Sequence, residues 1–330
     1  MTTGTLPDFR LQRPATLAEA ATLLAAPGAR LVAGGTDLMP NLRRGLEQPS
    51  TLVDLGGVAE LEAIDAGDDG SLALGAGVTL ARLAAHSRLA GPWRAIAQAA
   101  AEVAAPQHRN AATLGGNLCL DTRCVFYNQS EWWRASNGWC LKRKGDTCHV
   151  APQGGRCHAA FSGDLAPALI ALGARVELAS ARGARTLPLA QLYRDDGAAW
   201  LTREAGEIVA RVVVPAPAPG TVSGYRKARV RGSIDFPLAG VAIALRMDGA
   251  RIASIGVALT GTNSHPLDLD GTAALAGQPV DDAALAALGK LIAKQVSPMR
   301  TTATPSNYRR QVAVVLAQRL LRELAEGARP

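Results

Sequence analysis

The alternation of hydrophobic and polar positions along the chain predicts three blocks of mixed helix and strand. A helical spacing of apolar residues over 15–26, apolar runs at 30–34 and 51–57, and a short helical run over 36–45 predict a small α/β unit. In the second block, the apolar runs 61–66 and 71–78 are joined by Gly-Asp-Asp-Gly, which is typical of a hairpin turn. The same block predicts helices over 79–89, 93–105 and 164–174, a glycine-rich turn over 109–117, and strands over 175–180 and 207–215.

A Pro/Gly-rich stretch at 215–220 marks a predicted domain boundary. Beyond it, strands are predicted over 223–230, 239–249 and 250–261, followed by amphipathic helices over 281–296 and 305–326. Strands followed by helices are typical of an α+β domain. The chain is therefore predicted to be an α+β protein with domains over 1–57, 58–217 and 218–330.

The composition is that of a folded globular protein, since 48% of the 330 residues are hydrophobic and 19% are charged. We read no signal peptide and no run of about 18 apolar residues, so we expect a cytoplasmic protein that does not contact a membrane. The net charge of +7 comes from dispersed arginines, which favours a composition bias over nucleic-acid binding. A basic patch for an acidic protein partner is the alternative explanation.

Two Gly-Gly turns, VAGGTDL at 32–38 and ATLGGNL at 112–118, share one design. Paired glycines let backbone N–H groups approach a ligand, and adjacent N–H groups form a nest for phosphate oxygens. Thr36, Thr113 and Asn117 offer additional side-chain hydrogen bonds. Neither turn matches a dinucleotide-binding or P-loop motif, but two similar turns in one domain favour a site for a nucleotide diphosphate.

All five cysteines and three of the five tryptophans lie within residues 119–157. An odd number of cysteines without an export signal argues against a disulfide framework and for a metal site or a reactive thiol. Cys124, Cys140, Cys148 and Cys157 are separated by 15, 7 and 8 residues. Four thiolates suit zinc or an iron–sulfur cluster, and the absence of a close C-x₂₋₄-C pair favours the cluster.

The remaining chemically active residues predict no catalytic side chain. Cys119 is predicted to be a small buried residue instead of a ligand. His149 and His158 each follow a cysteine and are predicted to be polar neighbours, with ligation as the alternative. No histidine lies in a triad-like or H-E-x-x-H arrangement, so no acid, base or nucleophile is predicted.

Four segments resemble, in order and spacing, the flavin-binding subunit of the molybdenum hydroxylases, a family that includes xanthine and carbon monoxide dehydrogenases. They are LVAGGTDL (31–38), PQHRNAATLGGNL (106–118), GDLAPALIALGA (163–174) and GYRKARVRGSIDFPLAGVA (224–242). The resemblance covers nearly the whole chain. It implies a PCMH-like FAD-binding part of two subdomains, a C-terminal α+β domain, and partners that are a molybdopterin-binding large subunit and a 2Fe–2S small subunit.

Carried over residue by residue, the resemblance also implies the FAD contacts. They are Leu31, Val32, Ala33, Gly34, Gly35, Thr36, Asp37, Leu38, Ala112, Thr113, Gly116, Asn117, Asp164, Ile208, Val209 and Lys227. The N–H groups of residues 33–36 would bind the pyrophosphate, and Asp164 would bind the ribityl chain or the isoalloxazine edge. Ile208 and Val209 would pack near the adenine or the ring system. Lys227 would place a positive charge near the flavin.

Between Asn117 and Asp164 lie 46 residues, where the resemblance implies a much shorter connection. Residues 120–160, called the cysteine segment below, are therefore interpreted as an insertion. The pattern DTRCVFYNQSEWWR with three further cysteines resembles the flavin subunit of 4-hydroxybenzoyl-CoA reductases. This resemblance implies a 4Fe–4S cluster on the four cysteines, which would pass electrons from ferredoxin to FAD and on toward molybdenum. Six Lys/Arg against three Asp/Glu over 121–160, net +3, are compatible with docking of an acidic ferredoxin.

Two other interpretations stay open. An oxidative molybdenum hydroxylase would use the same flavin and pass electrons outward. From another class, the cysteine segment would be a zinc-stapled interaction module without redox activity. Metal analysis tests the zinc interpretation, and acceptance of electrons from reduced ferredoxin by the assembled complex would separate the two directions of electron flow.

Overall fold

The first block of the chain forms a three-stranded parallel sheet with strand order β1-β3-β2. The computed structural model describes residues 6–328. The elements of this block are β1 (Arg10–Gln12), α1 (Leu17–Leu24), β2 (Ala29–Val32), α2 (Leu38–Arg43) and β3 (Thr51–Asp54). The predicted α/β unit is confirmed. Because β2 and β3 are parallel, the glycine loop after β2 leaves from the carboxyl edge of the sheet, where ligands bind in many α/β proteins.

The second block forms a five-stranded antiparallel sheet with strand order β4-β5-β8-β6-β7. Its elements are β4 (Ile64–Ala66), β5 (Leu72–Gly75), α3 (Leu80–Ala85), α4 (Arg94–Ala101), α5 (Pro106–Ala111), α6 (Leu114–Leu118), α7 (Glu131–Ser136), α8 (Leu165–Ala171), β6 (Arg175–Ser180), β7 (Gly183–Pro188) and β8 (Ile208–Val214). The predicted hairpin is confirmed, since β4 and β5 pair antiparallel across residues 67–70.

Two sequence predictions in this block differ from the structure. The glycine-rich turn predicted over 109–117 is wrong, because α5 and α6 occupy most of it. The Thr113 side chain accepts a hydrogen bond from the Gly116 N–H at 3.1 Å and so caps a new helix. Strand β7 was not predicted, because most of its side chains are exposed and carry no apolar alternation.

The third block is a four-stranded antiparallel sheet, β12-β11-β10-β9, packed against two helices. Its elements are β9 (Thr221–Ala228), β10 (Ala239–Asp248), β11 (Arg251–Thr260), β12 (Leu267–Asp268), α9 (Asp282–Gln295) and α10 (Ser306–Gly327). The predicted strands-then-helices order is confirmed. Within residues 6–328, no helix combines the length and the apolar character needed to cross a membrane.

Helix α8 joins the second and third blocks. All side chains from Leu165 to Ile170 are buried, and the helix contacts α4, β10 and β11. A helix that is apolar on every side is typical of a position inside a core. Asp164, which precedes α8, is therefore held in a fixed position.

Arg309 on α10 is a buried cation that binds several loops. Its side chain is 1% exposed and donates to the carbonyl oxygens of Leu238 at 3.1 Å and Met299 at 2.9 Å, and also to that of Gly261. Within the described part of the chain it has no carboxylate partner, and burial lowers its pKa to about 10. The neighbouring Thr301 carbonyl accepts from the Val125 N–H of the cysteine segment at 2.8 Å. Arg309 thus holds in place the loop that forms a backbone hydrogen bond with the cysteine segment.

Substitution Arg309→Met should lower the free energy of unfolding by about 1–3 kcal/mol, because it leaves buried carbonyl groups without donors. Urea denaturation followed by circular dichroism measures this loss. The control is Arg319→Met, on the exposed side of the same helix, which should change stability by less than about 0.5 kcal/mol. Equal effects of the two substitutions would contradict the anchoring role.

Candidate functional site

A cleft of about 1020 Å³ lies where the first and second blocks meet, at the upper end of the range for ligand pockets. The glycine loop after β2 forms one wall. The segment from α5 to α6 forms another, and the 231–236 loop of the third block borders the opening. A site at the junction of several structural units is typical of cofactor binding.

The two glycine segments are in direct backbone contact. A Cβ atom on Gly34 would lie 1.9 Å from the Ala111 carbonyl oxygen, so no other residue fits at this position. Gly35 has a φ of +67°, a conformation that favours glycine. These glycines therefore bring the first loop against the second and close the base of the cleft.

The two loops differ in the backbone N–H groups that they offer. In the second loop, the N–H groups of Leu114, Gly115 and Asn117 donate to Val78, Ala76 and Thr113 carbonyls at 2.8–2.9 Å, and that of Gly116 caps α6. Among the described residues, no carbonyl or side chain takes up the N–H groups of residues 34–36. The nest predicted for both loops is therefore available only in the first, which is suited to bind a diphosphate.

Asp164 lies at the wall of the cleft within a buried hydrogen-bond network. Its carboxylate accepts from the Tyr225 hydroxyl at 2.5 Å and from Lys227 Nζ at 3.0 Å. Burial raises the pKa of Asp164, and the Lys227 charge opposes that shift. Lys227 also donates to the Glu102 carbonyl at 3.1 Å. Lys227 therefore acts on the cleft through Asp164.

The structure places every predicted FAD-contact residue except Lys227 in the lining of this one cleft. Ile208 and Val209, the first two residues of β8, also line the cleft. The Asn117 side chain accepts a hydrogen bond from the Leu165 N–H at 3.0 Å. The contacts of each with FAD stay predictions. Tyr225 was missed by sequence reasoning. A signal existed, since Tyr225 and Lys227 stand two apart on β9 and so share one face.

The cysteine segment is fixed at both ends to the rest of the protein. Arg123 and Ala160 exchange two backbone hydrogen bonds of 2.8 Å, which closes the segment into a loop. The Arg123 side chain pairs with Asp37 and donates to Asn41 at 2.8 Å. The segment is therefore connected directly to the first glycine loop.

Four cysteines of the segment converge on one small buried cavity, called the cysteine cavity below. Cys124, Cys140, Cys148 and Cys157 line it and are 5–8% exposed. Arg123 lines the cleft, whereas the next residue, Cys124, lines the cysteine cavity. Cys119 lines the cleft instead, so the structure separates it from the other four cysteines. The cavity and the cleft are therefore adjacent.

The surroundings of the cysteines are apolar, with few competing ligands. Burial raises the pKa of Cys157 to about 12 and also raises that of Cys124. The Ala159 N–H donates to Cys157 Sγ at 3.4 Å. His149 lines the cavity, and its Nε2 donates to the Trp139 carbonyl, as expected for a polar neighbour. His158 does not line the cavity.

The spacing of these side chains bears on the kind of metal. Within residues 6–328, no three Cys, His, Asp or Glu side chains are placed to share one metal ion. A zinc ion needs four ligands around a single atom, whereas a cluster binds each thiolate through a different iron. The choice between a zinc ion and a cluster therefore stays a prediction.

Three of the six basic residues of the cysteine segment have buried side chains, whereas the Lys144 side chain is 51% exposed. Arg134 is 1% exposed and donates to the Tyr127 and Arg44 carbonyls, each at 3.2 Å. Lys142 is 6% exposed and pairs with Asp121 at 2.6 Å. Arg123 is buried, as described above. The charge count over 121–160 therefore overstates the basic charge at the surface, and docking of an acidic ferredoxin stays a prediction.

Comparisons with known proteins show what kind of protein has this fold and cleft. The family "FAD binding domain in molybdopterin dehydrogenase" matches residues 7–217, and "CO dehydrogenase flavoprotein C-terminal domain" matches residues 223–324. The chain is therefore an FAD-binding subunit of an oxidoreductase. It belongs to the family of FAD-binding subunits of the molybdenum hydroxylases, as the sequence resemblance implied.

Individual relatives agree with this assignment. The FAD-binding subunit of an aldehyde oxidoreductase from Escherichia coli (strain K12) is 35% identical over 76% of this chain and 81% of its own length. The carbon monoxide dehydrogenase medium chain of Afipia carboxidovorans is 28% identical over 94% of this chain and 95% of its own.

Solved structures confirm the α+β fold, with a mixed α/β FAD-binding domain and a C-terminal domain that carries an antiparallel sheet. Reconstituted CO dehydrogenase from Oligotropha carboxidovorans has a TM-score of 0.81 at 25% identity, covering 98% of this chain and 99% of that one. Quinoline 2-oxidoreductase from Pseudomonas putida 86 has a TM-score of 0.76 at 26% identity, with the same coverage.

Substitution Gly34→Ala should weaken FAD binding about tenfold or more. The new methyl group would overlap the Ala111 carbonyl, and overpacking of this kind costs about 1–3 kcal/mol. Titration of the FAD-depleted protein with FAD, followed by flavin fluorescence, measures the affinity. Gly91→Ala is the matched control, because nothing lies within 4 Å of the added Cβ. An unchanged affinity in Gly34→Ala would show that the loop contact does not shape the site.

Proposed function

We propose that this chain is an electron-transfer subunit that holds FAD in the cleft and a 4Fe–4S cluster in the cysteine cavity. Its partners would be a molybdopterin-binding large subunit and a 2Fe–2S small subunit of the same enzyme. The observation that carries the proposal is the convergence of four separated cysteines on one buried cavity beside the cleft. Bound FAD supplies exchange between two-electron and one-electron chemistry.

The residues of the cleft fit FAD. Three consecutive N–H groups, at residues 34–36, are free to donate to a diphosphate, and Asp164 presents a buried carboxylate further along the wall. The apolar side chains of Ile208 and Val209 offer packing for a ring. This chain would orient the cofactor and exclude water, while the organic substrate is converted on a partner subunit.

The residues of the cysteine cavity fit a cluster better than a zinc ion. They supply four thiol ligands without a carboxylate, and they lack the close C-x₂₋₄-C pairs that are typical of structural zinc sites. Buried thiols in apolar surroundings, with an N–H···S hydrogen bond from Ala159, are features that tune the potential of iron–sulfur clusters. The aromatic side chains of Phe126 and Tyr127 line the cavity and would shield the cluster from water.

The same two sites support either direction of electron flow. The cysteine pattern supports a 4-hydroxybenzoyl-CoA reductase, in which electrons would enter from a one-electron carrier such as ferredoxin through the cluster. The 35% identical relative is named as a subunit of an aldehyde oxidoreductase, which supports an aldehyde as the substrate class if electrons flow in the oxidative direction. We therefore propose the oxidative direction as a second candidate.

Anaerobically purified protein should contain FAD and about four irons with matching sulfide per chain. Substitution Cys140→Ser should abolish the iron and its EPR signal while FAD remains bound, because Cys140 lines the cysteine cavity and not the cleft. Cys119→Ser is the control and should keep its iron. A colourless protein with one zinc would contradict the cluster and favour the interaction module.

Anaerobic flavin absorbance separates the two directions in the complete enzyme. In the oxidative case, an aldehyde should bleach the flavin of the oxidised enzyme. In the reductive case, 4-hydroxybenzoyl-CoA should reoxidise the flavin after chemical reduction. Enzyme prepared without molybdenum is the control for both. The response to one substrate and not the other assigns the direction, and a response to neither would contradict both candidates.

A further inference from the structure

The wall between the cysteine cavity and the cleft contains a buried ion pair. Lys142 lines the cavity together with the four cysteines, whereas Asp121 lines the cleft. Lys142 Nζ lies 2.6 Å from Asp121 Oδ1, and the two side chains are 6% and 9% exposed. Charges this deeply buried interact strongly with their surroundings, since little water screens them.

The position of the Lys142 ammonium group is fixed by several further contacts. It donates to the Thr122 carbonyl at 3.0 Å and also to the Thr122 hydroxyl. It lies 4.6 Å from the centre of the Tyr127 ring and 4.8 Å from that of Trp200. Tyr127 lines the cysteine cavity and Trp200 lines the cleft, so the cation lies between the two sites.

The negative end of the pair has an equally defined position. The Asp121 N–H donates to Asp37 Oδ2 at 3.2 Å, and Asp37 pairs with Arg123. Asp37 and Arg123 both line the cleft, so their pair lies on that side only. The Lys142–Asp121 pair instead reaches from one site to the other.

We propose that the Lys142–Asp121 pair is a fixed dipole that raises the reduction potential of the centre in the cysteine cavity and lowers that of the flavin. A positive charge next to a redox centre stabilises its reduced form, and a negative charge destabilises it. The pair thereby favours electron transfer from flavin to cluster. This inference rests on the proposed cluster. Lys142 and Asp121 act through the charges that they hold beside the two redox centres.

The test is the double substitution Lys142→Met with Asp121→Asn in the holoenzyme purified anaerobically. Removing both charges leaves neither partner buried alone, which limits the loss of stability. The cluster potential, followed by EPR, should fall, and the flavin potential, followed by absorbance, should rise. The electron-partition equilibrium between them should change at least tenfold, which is 59 mV for one electron. Lys144→Met is the matched control, since that lysine is 51% exposed, and it should change neither potential.

Opposite shifts separate the dipole from a structural role, which would leave both potentials unchanged or move them together. Either of those results, with both cofactors bound, would overturn the inference. If the double variant loses a cofactor, the flavin potential of the single variant Asp121→Asn is measured instead. A rise in the flavin potential supports the dipole, and no rise overturns it. Iron-free wild-type protein would overturn the proposed function, and this inference with it.

Discussion

Three of the four buried cysteines form half of the small core of the cysteine segment, so the segment depends on them for much of its packing. The small cluster of buried side chains in the segment contains Cys124, Cys140 and Cys157 beside Tyr127 and only a few others. The segment has one short helix, α7, and otherwise consists of turns. So small an apolar core stabilises little structure by itself, and small units of this kind are commonly stabilised by a metal. The proposed cluster would therefore contribute to the stability of the segment as well as to its function.

The proposed electron transfer depends on the surrounding fold, which holds the cysteine cavity beside the cleft. The bridge between Arg123 and Ala160 closes the segment, and the Arg123 side chain continues to Asp37 in the first glycine loop. On the other side, the loop bound by Arg309 accepts the Val125 N–H. Three separate parts of the chain thus fix the distance between the two sites. Electron transfer requires such a fixed distance.

Much of this arrangement could be predicted from the sequence, and the exceptions have physical reasons. Glycine pairs and apolar periodicity predict the loops and the strands, because backbone conformation and burial depend on local residue types. The number of free N–H groups does not follow from the pattern, because Thr113 turns one Gly-Gly segment into a capped helix. The charge count over 121–160 also treats Lys142 and Arg134 as surface charges. Their burial depends on distant partners, such as the Arg44 carbonyl, that no local pattern reveals.

The burial of these cations changes the argument about electron flow. As surface charges, they favoured an acidic donor that delivers electrons to the cluster. As buried charges, they act on the redox centres themselves. With Lys142 on the side of the cysteine cavity and Asp121 on the side of the cleft, reduction of the proposed cluster would be favoured over reduction of the flavin. That order would suit an enzyme whose electrons leave through the cluster, as in the oxidative candidate.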